Sequence, residues 1–251
     1  MAIRNCSGPG SGGCHVNTYL VTHFRHNGYL VLPRRLSADR VDRLKQTILH
    51  DVQKFVEPVV RDEDRVTRIS QILDRNPVFL ETARCREVIE PLKVLLGPNI
   101  LVLKNRHNHA TLNYRTHKRD NFHRDNVQWS RGLLTVIFYL EDTTLENGCT
   151  QVVPGSHLLQ GVEHLHNLSN TDWICESGLL QQRVPIPVEA GQMLAIDSTI
   201  FHRAGPNVTE GSRMSMTIGY QSVDELWDGD NPTRLLVAGE RIYMGNDRSR
   251  G

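Results

Sequence analysis

The chain has 251 residues, of which 39% are hydrophobic and 23% are charged, and its formal net charge is +1. This composition is typical of a globular protein with a sizeable core, and it excludes the fibrous and low-complexity classes. A near-neutral charge also disfavours a binder of nucleic acid polymers, which would carry a large basic excess. We therefore expect a single domain over residues 1–251.

The N-terminal stretch MAIRNCSGPGSGGCHVNTYL is rich in Gly and Ser and lacks the apolar core of a secretory signal. No segment of the chain approaches the roughly 18 apolar residues of a membrane-spanning helix. The five cysteines are scattered and form no C-x-x-C pair, as expected of free thiols in a reducing compartment. These features predict a cytoplasmic location, no membrane partner, and a flexible lead-in over residues 1–18.

Helical periodicity dominates the first hundred residues. Apolar residues recur at steps of three and four over residues 37–56, and Ser37 is a suitable N-cap. A second helical region is predicted over residues 76–98, with Pro77 at the favoured first position and a Gly-Pro pair at the end. Pro91 is expected to break or kink this second helix.

After residue 99 the pattern changes to short β-like runs separated by turn residues. The candidate strands cover residues 100–105, 132–140, 150–153, 183–188, 192–197 and 215–222. Helices followed by antiparallel strands predict an α+β fold. Short strands joined by polar turns favour a double-sheet jelly roll flanked by N-terminal helices.

The stretch NFHRDNVQW places His123 and Asp125 two positions apart. A chain with twelve histidines contains such triplets by chance, so a metal site requires a third ligand from elsewhere. His202 is the candidate, because it follows a predicted strand and precedes a Gly-Pro turn, at a strand end that a jelly roll could aim inward. Two histidines and one carboxylate form the facial triad of non-haem Fe(II) oxygenases, although zinc hydrolases use the same donors.

Arg213 and Ser215 distinguish between these two chemistries. They lie eleven and thirteen residues beyond His202, on the next predicted strand. A guanidinium can form a bidentate pair with a carboxylate, and a serine hydroxyl can add a hydrogen bond. This pair could bind the far end of a dicarboxylic cosubstrate, which favours an oxygenase over a hydrolase.

Four segments, taken in their order along the chain, resemble those of a known protein family. They are HFRHNGYLVLPRRLSADRVDRL, HRD, LEDTTLENGCTQVVPGSH and VEAGQMLAIDSTIFHRAGPNVTEGSRMSMTIGY. Together they resemble the phytanoyl-CoA dioxygenase (PhyH-like) family of Fe(II)- and 2-oxoglutarate-dependent oxygenases. The resemblance implies a double-stranded β-helix, a cupin-like jelly roll.

The resemblance also implies roles for the candidate residues. His123, Asp125 and His202 would be the catalytic iron ligands, and Arg213 and Ser215 would bind the 5-carboxylate of 2-oxoglutarate. The cofactors would be Fe(II), 2-oxoglutarate as cosubstrate, and O2. Further candidates for cosubstrate binding, each with a structural role as the alternative, are Asn108, Thr135 and Gln128.

Residues that flank the metal motif bear on the substrate. An aromatic face with guanidinium groups suits a planar, anionic small molecule such as a nucleotide or another phosphorylated metabolite, and a solvated loop is the alternative reading. The candidates for substrate contact are Trp129, Arg119, Arg124 and Arg131.

The predicted reaction is hydroxylation of a C–H bond in a small anionic metabolite, of nucleotide, phosphorylated or secondary-metabolite type, with release of succinate and CO2. Halogenating relatives of this fold replace the metal-binding carboxylate with Gly or Ala, so Asp125 favours hydroxylation over chlorination. The alternatives are a 2-oxoglutarate-dependent halogenase or desaturase of a nucleotide-like metabolite, and a non-catalytic jelly-roll protein that binds metal or ligand. The sequence suggests no oligomeric state.

Overall fold

The structure of the chain is a computed structural model, and it describes residues 18–115, 121–125, 132–159, 176–224 and 231–241. Four of the predicted site residues lie outside these ranges, namely Arg119, Gln128, Trp129 and Arg131. Within the described ranges, none of the helices has the length and apolar character required to cross a membrane.

The four α-helices whose bounds the described residues contain lie in the N-terminal part of the chain. They are α1 (Thr18–Asn27), α2 (Ala38–Gln53), α3 (Pro77–Ala83) and α4 (Arg86–Leu96). The N-cap of α2 is Ser37, whose side chain accepts a hydrogen bond from the Arg40 N–H, as its sequence predicts. Val41, Leu44 and Ile48 form the buried face of α2. The predicted helix is therefore confirmed, with an end three residues earlier than expected.

The second helical region is interrupted, but not where the sequence predicts. Pro91 lies inside α4 and is buried in it. The break falls instead at Arg84 and Cys85, where the Arg84 N–H closes α3 on the Leu80 carbonyl and the Cys85 carbonyl accepts from Ile89 to open α4. The expectation for Pro91 was wrong, because apolar burial of this helix face compensates for the one hydrogen bond that a proline removes.

Twelve strands form the rest of the described fold. They are β1 (Tyr29–Val31), β2 (Val59–Asp62), β3 (Arg65–Ser70), β4 (Ile100–Leu103), β5 (Asn108–Asn113), β6 (Leu133–Tyr139), β7 (Thr150–Val152), β8 (Val184–Ile186), β9 (Met193–Asp197), β10 (His202–Ala204), β11 (Arg213–Ser222) and β12 (Arg234–Ala238). All six predicted strands are present, and the six that were not predicted are β1, β2, β3, β5, β10 and β12.

The strands make two antiparallel sheets. The larger sheet has nine strands in the order β1-β9-β6-β11-β5-β3-β2, with β4 paired to β11 and β12. The smaller sheet has the order β10-β7-β8. Two sheets with helices on the outer face of one of them make the jelly roll that the sequence predicts.

The two faces of the larger sheet have different environments, and β11 shows this most clearly. Met214, Met216 and Ile218 point into the main core, which the helices cover. Arg213, Ser215 and Thr217 alternate with them and line a cavity on the opposite face. The strand register therefore aims the two predicted cosubstrate residues into the space between the sheets.

Candidate metal centre

His123 and His202 are brought together by the backbone. The short segment 121–125 pairs with β10 through an isolated antiparallel bridge at these two residues. The N–H of each donates to the carbonyl of the other at 3.0 Å. The two imidazole rings consequently lie side by side, with 4.5 Å between their centroids.

Both imidazoles are oriented by the same local contact. Nδ1 of His123 lies 3.1 Å from the carbonyl oxygen of Asn121, and Nδ1 of His202 lies 3.1 Å from that of Ile200. A carbonyl oxygen can only accept, so Nδ1 carries the proton in each ring. The neutral imidazole then presents the lone pair of Nε2, which is the form that binds a metal.

Asp125 completes the cluster. Its Oδ1 lies 3.5 Å from Nε2 of His202 and 3.9 Å from Nε2 of His123, and the ligand atoms of the three residues all lie within 4.8 Å of one another. Its Oδ2 accepts a hydrogen bond from the Thr135 hydroxyl at 2.7 Å. Two imidazole nitrogens and one fixed carboxylate oxygen therefore converge on one point, and this donor set fits Fe(II).

The carboxyl of Asp125 is held in its ionised form. Burial alone would raise its pKa, but the neighbouring histidines, His202 first and then His107, and the hydrogen bond from Thr135 outweigh burial and lower the pKa. A carboxylate that is already ionised has no proton to lose before it binds a cation.

A cavity of about 490 Å³ opens beside this cluster, within the size range of small-molecule sites. Among the described residues that line it, three are arginines, Arg68, Arg203 and Arg213, and Asp125 is the single acid. The cavity therefore has a positive wall beyond the metal ligands, which suits anionic ligands.

The predicted cosubstrate pair lies along this cavity. Arg213 and Ser215 are 4% and 6% exposed, so a carboxylate bound there would be largely shielded from water. Thr135 pairs with Gly219 of β11, and Arg213 and Ser215 lie further along the same strand. The cavity thus runs from the metal ligands at one level of the sheet to a buried guanidinium at another.

Two histidines near the site were not predicted from the sequence. His107 is buried, with Nδ1 3.8 Å from Oδ1 of Asp125, and burial lowers its pKa. Burial also lowers the pKa of His109 to about 4, so this ring is neutral at pH 7. The signal that could have found them is the period of two in HNHAT, which puts His109 and Thr111 on one face of β5 and His107 just before that strand, all three lining the cavity.

The structure does not bring Asn108 into the cavity. Its Oδ1 accepts from the Leu73 N–H at 2.9 Å and its Nδ2 donates to the Lys104 carbonyl at 2.8 Å. Both ends of the amide are thus used to join β5 to neighbouring loops. The expected cosubstrate contact gives way to a structural role, because residue 108 points to the opposite face from His107 and His109.

Two other predicted residues also have structural contacts. Arg124 is only 4% exposed, and its guanidinium donates to the carbonyls of Ser156 and Leu159 at 3.0 Å each. It therefore has a structural role and does not belong to a solvated loop. Thr135 lines the cavity as expected, but its hydroxyl is used to hold Asp125.

Comparison with known proteins gives consistent matches. The family model for phytanoyl-CoA dioxygenase (PhyH) matches residues 24–215. A probable phytanoyl-CoA dioxygenase of Caenorhabditis elegans is 23% identical over 99% of this chain and 80% of its own length. A phytanoyl-CoA dioxygenase domain-containing protein 1 homolog of Dictyostelium discoideum is 29% identical over 38% of this chain, a match that spans 37% of that relative.

Solved structures share the fold. The non-haem alpha-ketoglutarate-dependent carbocyclase SnoK of nogalamycin biosynthesis has a TM-score of 0.74 at 21% identity, over 92% of this chain and all of its own. The epimerase SnoN, in complex with Fe3+, alpha-ketoglutarate and nogalamycin RO, has a TM-score of 0.65 at 20% identity, over 89% of this chain and 96% of its own. At these identities the likeness establishes the jelly-roll fold, which confirms the predicted fold class.

Proposed function

Because the chain belongs to the phytanoyl-CoA dioxygenase family, we propose that it uses Fe(II), 2-oxoglutarate and O2 to hydroxylate a C–H bond of a small anionic metabolite, releasing succinate and CO2. Family membership confirms the predicted enzyme class. The observation that carries the reaction is the convergence of His123, Asp125 and His202 at one end of a cavity that also contains Arg213.

Each ligand side chain has one task in this proposal. Nε2 of His123, Nε2 of His202 and the Asp125 carboxylate would hold Fe(II), which when bound supplies the oxygen chemistry that side chains cannot provide. The Nδ1–H groups keep both rings fixed through backbone carbonyls, and the Thr135 hydroxyl fixes the carboxylate. Fixed donors reduce the reorganisation that would otherwise accompany binding.

Arg213 would bind the distal carboxylate of 2-oxoglutarate. A buried guanidinium pairs strongly with a carboxylate, because both hydrogen bonds form in a region of low dielectric. Ser215 lies on the same face of β11 and would add a hydroxyl donor. Tyr139 is the cross-strand partner of Ser215 on β6, and its hydroxyl donates to Thr150 at 2.6 Å. This hydroxyl therefore does not compete with Ser215 for the carboxylate of 2-oxoglutarate.

The substrate is proposed to be anionic because of the remaining charges in the cavity. Arg68 and Arg203 line it away from Arg213, and His109 contributes a neutral polar ring. Nucleotides, phosphorylated metabolites and those secondary metabolites that carry an acidic group meet this requirement. The carbocyclase and epimerase names of two structural neighbours favour secondary metabolism and keep outcomes other than hydroxylation open for this site.

Asp125 bears on the choice between hydroxylation and chlorination. A halogenase of this fold needs a small residue in place of the carboxylate, and here the carboxylate is present and turned toward both imidazoles. Hydroxylation is therefore favoured over chlorination. The non-catalytic alternative predicts tight metal retention without formation of succinate.

Anaerobic titration with Fe(II) and 2-oxoglutarate tests the proposal. The wild-type chain should develop the weak visible charge-transfer band of the ternary complex and form succinate when O2 is admitted. His123→Ala removes one of three donors, so the band should be lost. Arg213→Met leaves the metal ligands intact but removes the carboxylate partner, so about a hundredfold more 2-oxoglutarate should be required.

The matched control is His50→Ala, because His50 is an exposed histidine on α2, far along the chain from the cluster. Its band should equal that of the wild type. A wild-type chain that binds Fe(II) but gives neither band nor succinate with any of a panel of anionic metabolites would contradict the proposal in favour of the non-catalytic alternative.

A further inference from the structure

The tripeptide Phe-His-Arg occurs twice in the chain, at residues 122–124 and 201–203, and the central residue of each copy is a candidate metal ligand. The two copies run antiparallel and meet at the bridge between His123 and His202. The Nδ1 contact to the carbonyl two residues earlier is the same in both, at 3.1 Å. The two halves of the histidine pair are therefore related by an approximate twofold rotation.

The arginine of each copy stacks on the phenylalanine of the other. Cζ of Arg124 lies 4.2 Å from the ring centroid of Phe201, and Cζ of Arg203 lies 4.5 Å from that of Phe122. Both distances are well within the range of a cation–π contact. Phe122 and Phe201 are buried in one small apolar cluster with Val153, so the rings themselves cannot shift freely.

Both arginines are also tied to the smaller sheet and the turn that follows β7. Arg203 donates through Nε to Oε1 of Gln151 on β7 at 3.0 Å. Arg124 donates to the Ser156 carbonyl, and the Ser156 hydroxyl accepts from the Phe201 N–H at 2.8 Å. Each side of the bridge is thus connected to the same neighbouring elements.

We propose that Arg124 and Arg203 are positioning residues, whose crossed stacks hold the imidazoles of His123 and His202 at the separation that the metal requires. Strand β10 is held by its pairing with β7, but the segment 121–125 is joined to β10 by a bridge with two backbone hydrogen bonds, and these leave that segment free to tilt about the line that joins the two residues. The two stacks lie on opposite sides of that line and resist the tilt. This inference rests on the proposed metal site.

The residues that follow the two copies differ, and this difference bears on how the separation of the two imidazoles is maintained. Asp125 follows one Phe-His-Arg and points at both imidazoles, whereas Ala204 follows the other and lines the cavity. A carboxylate ligand is therefore present on one side of the histidine pair only. Among the described residues that line the cavity no second carboxylate faces the pair, so we expect the crossed stacks beneath the rings to help set their geometry.

Binding of Co(II) to the metal-free full-length chain tests the role of the stacks without any substrate. Calorimetry gives the affinity, and the visible absorption of bound Co(II) reports the ligand geometry. Arg203→Met keeps the length of the side chain but removes the cation, so the affinity should fall about tenfold and the spectrum should change shape. Arg203→Lys keeps a cation over Phe122 and should remain within about threefold of the wild type.

Arg61→Met is the matched control, because Arg61 stacks on Phe55 at 4.7 Å but does not line the cavity. It should bind Co(II) as the wild type does, and the metal-free melting temperatures of Arg61→Met and Arg203→Met should be similar. Equal affinity in the wild type and Arg203→Met, or an equal loss in Arg203→Met and Arg203→Lys, would overturn the positioning role. Absence of Co(II) binding by the wild type would instead refute the proposed metal site itself.

Discussion

The histidines of the cavity show how position decides the chemistry of one residue type. His123 and His202 have Nδ1 fixed by carbonyls and Nε2 directed at Asp125. His109 lies on the wall of the same cavity, but there burial dominates and lowers its pKa to about 4. The wall of the cavity therefore includes, beside the proposed metal ligands, a polar ring that is neutral at pH 7.

The low pKa of His109 predicts a dependence of stability on pH. The unfolded chain binds a proton at His109 near pH 6.5, whereas the folded chain does so only near pH 4, so the folded state loses stability as the pH falls through this window. Between pH 7.5 and pH 5 this residue should cost about 2 kcal/mol. His109→Gln keeps a polar side chain that does not titrate, so urea unfolding of the metal-free variant should lose about that much less over the same interval. Identical pH slopes in both chains would contradict the pKa assignment.

At the residue scale, the sequence identified the site residues whose spacing along the chain is typical of a metal site. His123, Asp125 and His202 were predicted from a triplet, a distant strand end and a family resemblance, and the structure brings them together. Burial was not visible in the same way. Arg124 looks like a surface cation in the sequence, because only the fold supplies the carbonyls and the ring that enclose it.

At the scale of elements, apolar runs and alternating patterns predicted the inner strands β6, β9 and β11, whereas several strands with polar or charged residues were missed. The strand β10 has three residues, two of them His and Arg, and it exists because β7 supplies its hydrogen-bonding partner. Strands β2 and β3 form a hairpin at the end of the larger sheet, and four of their ten residues are charged. Local propensity is too weak to predict such segments, since their pairing depends on residues distant in the chain.

The turn before β7 contains a glycine at which one added methyl group should lower the free energy of unfolding. Gly148 has a φ of +83°, and a Cβ there would lie 2.3 Å from the Gly205 carbonyl oxygen, directly after β10. Gly148→Ala should lower the free energy of unfolding by about 3 kcal/mol or more, since backbone strain and a backbone clash add together. Urea unfolding measures this loss, and Co(II) affinity should fall too, because β10 carries His202.

Gly178→Ala is the control that separates the two causes of instability in Gly148→Ala, namely backbone strain and the clash with the Gly205 carbonyl. Gly178 has a φ of +66°, but a Cβ there meets no atom of the described residues within 4 Å apart from those of its chain neighbours. This control should cost only about 1 kcal/mol, from backbone strain alone. If both substitutions cost the same, the packing of the turn against β10 does not constrain the metal-binding strand.

At the scale of the whole molecule, a buried cation adds polar contacts to the apolar core that the helical layer shares with the larger sheet. Arg75 donates to the Asp51 carboxylate at 3.2 Å and to the carbonyls of Ser70, Val56 and Pro58. These partners belong to the last turn of α2, the loop after it and the end of β3. The contacts of Arg75 lie outside the cavity, so they are separate from the residues that we propose bind the metal.

This separation predicts a variant that is unstable but still binds metal. Arg75→Met leaves the Asp51 carboxylate buried without its cation and leaves carbonyls without their donor, so the free energy of unfolding in urea should fall by about 3–5 kcal/mol. Arg35→Met removes an ion pair with Glu189 whose side chains are 61% and 73% exposed, and it should cost less than about 1 kcal/mol. Well below its melting temperature, Arg75→Met should bind Co(II) with wild-type affinity, because the bridge between His123 and His202 does not depend on the helical layer. A parallel loss of metal affinity and stability would show that the jelly roll needs its helices to hold the ligands in place.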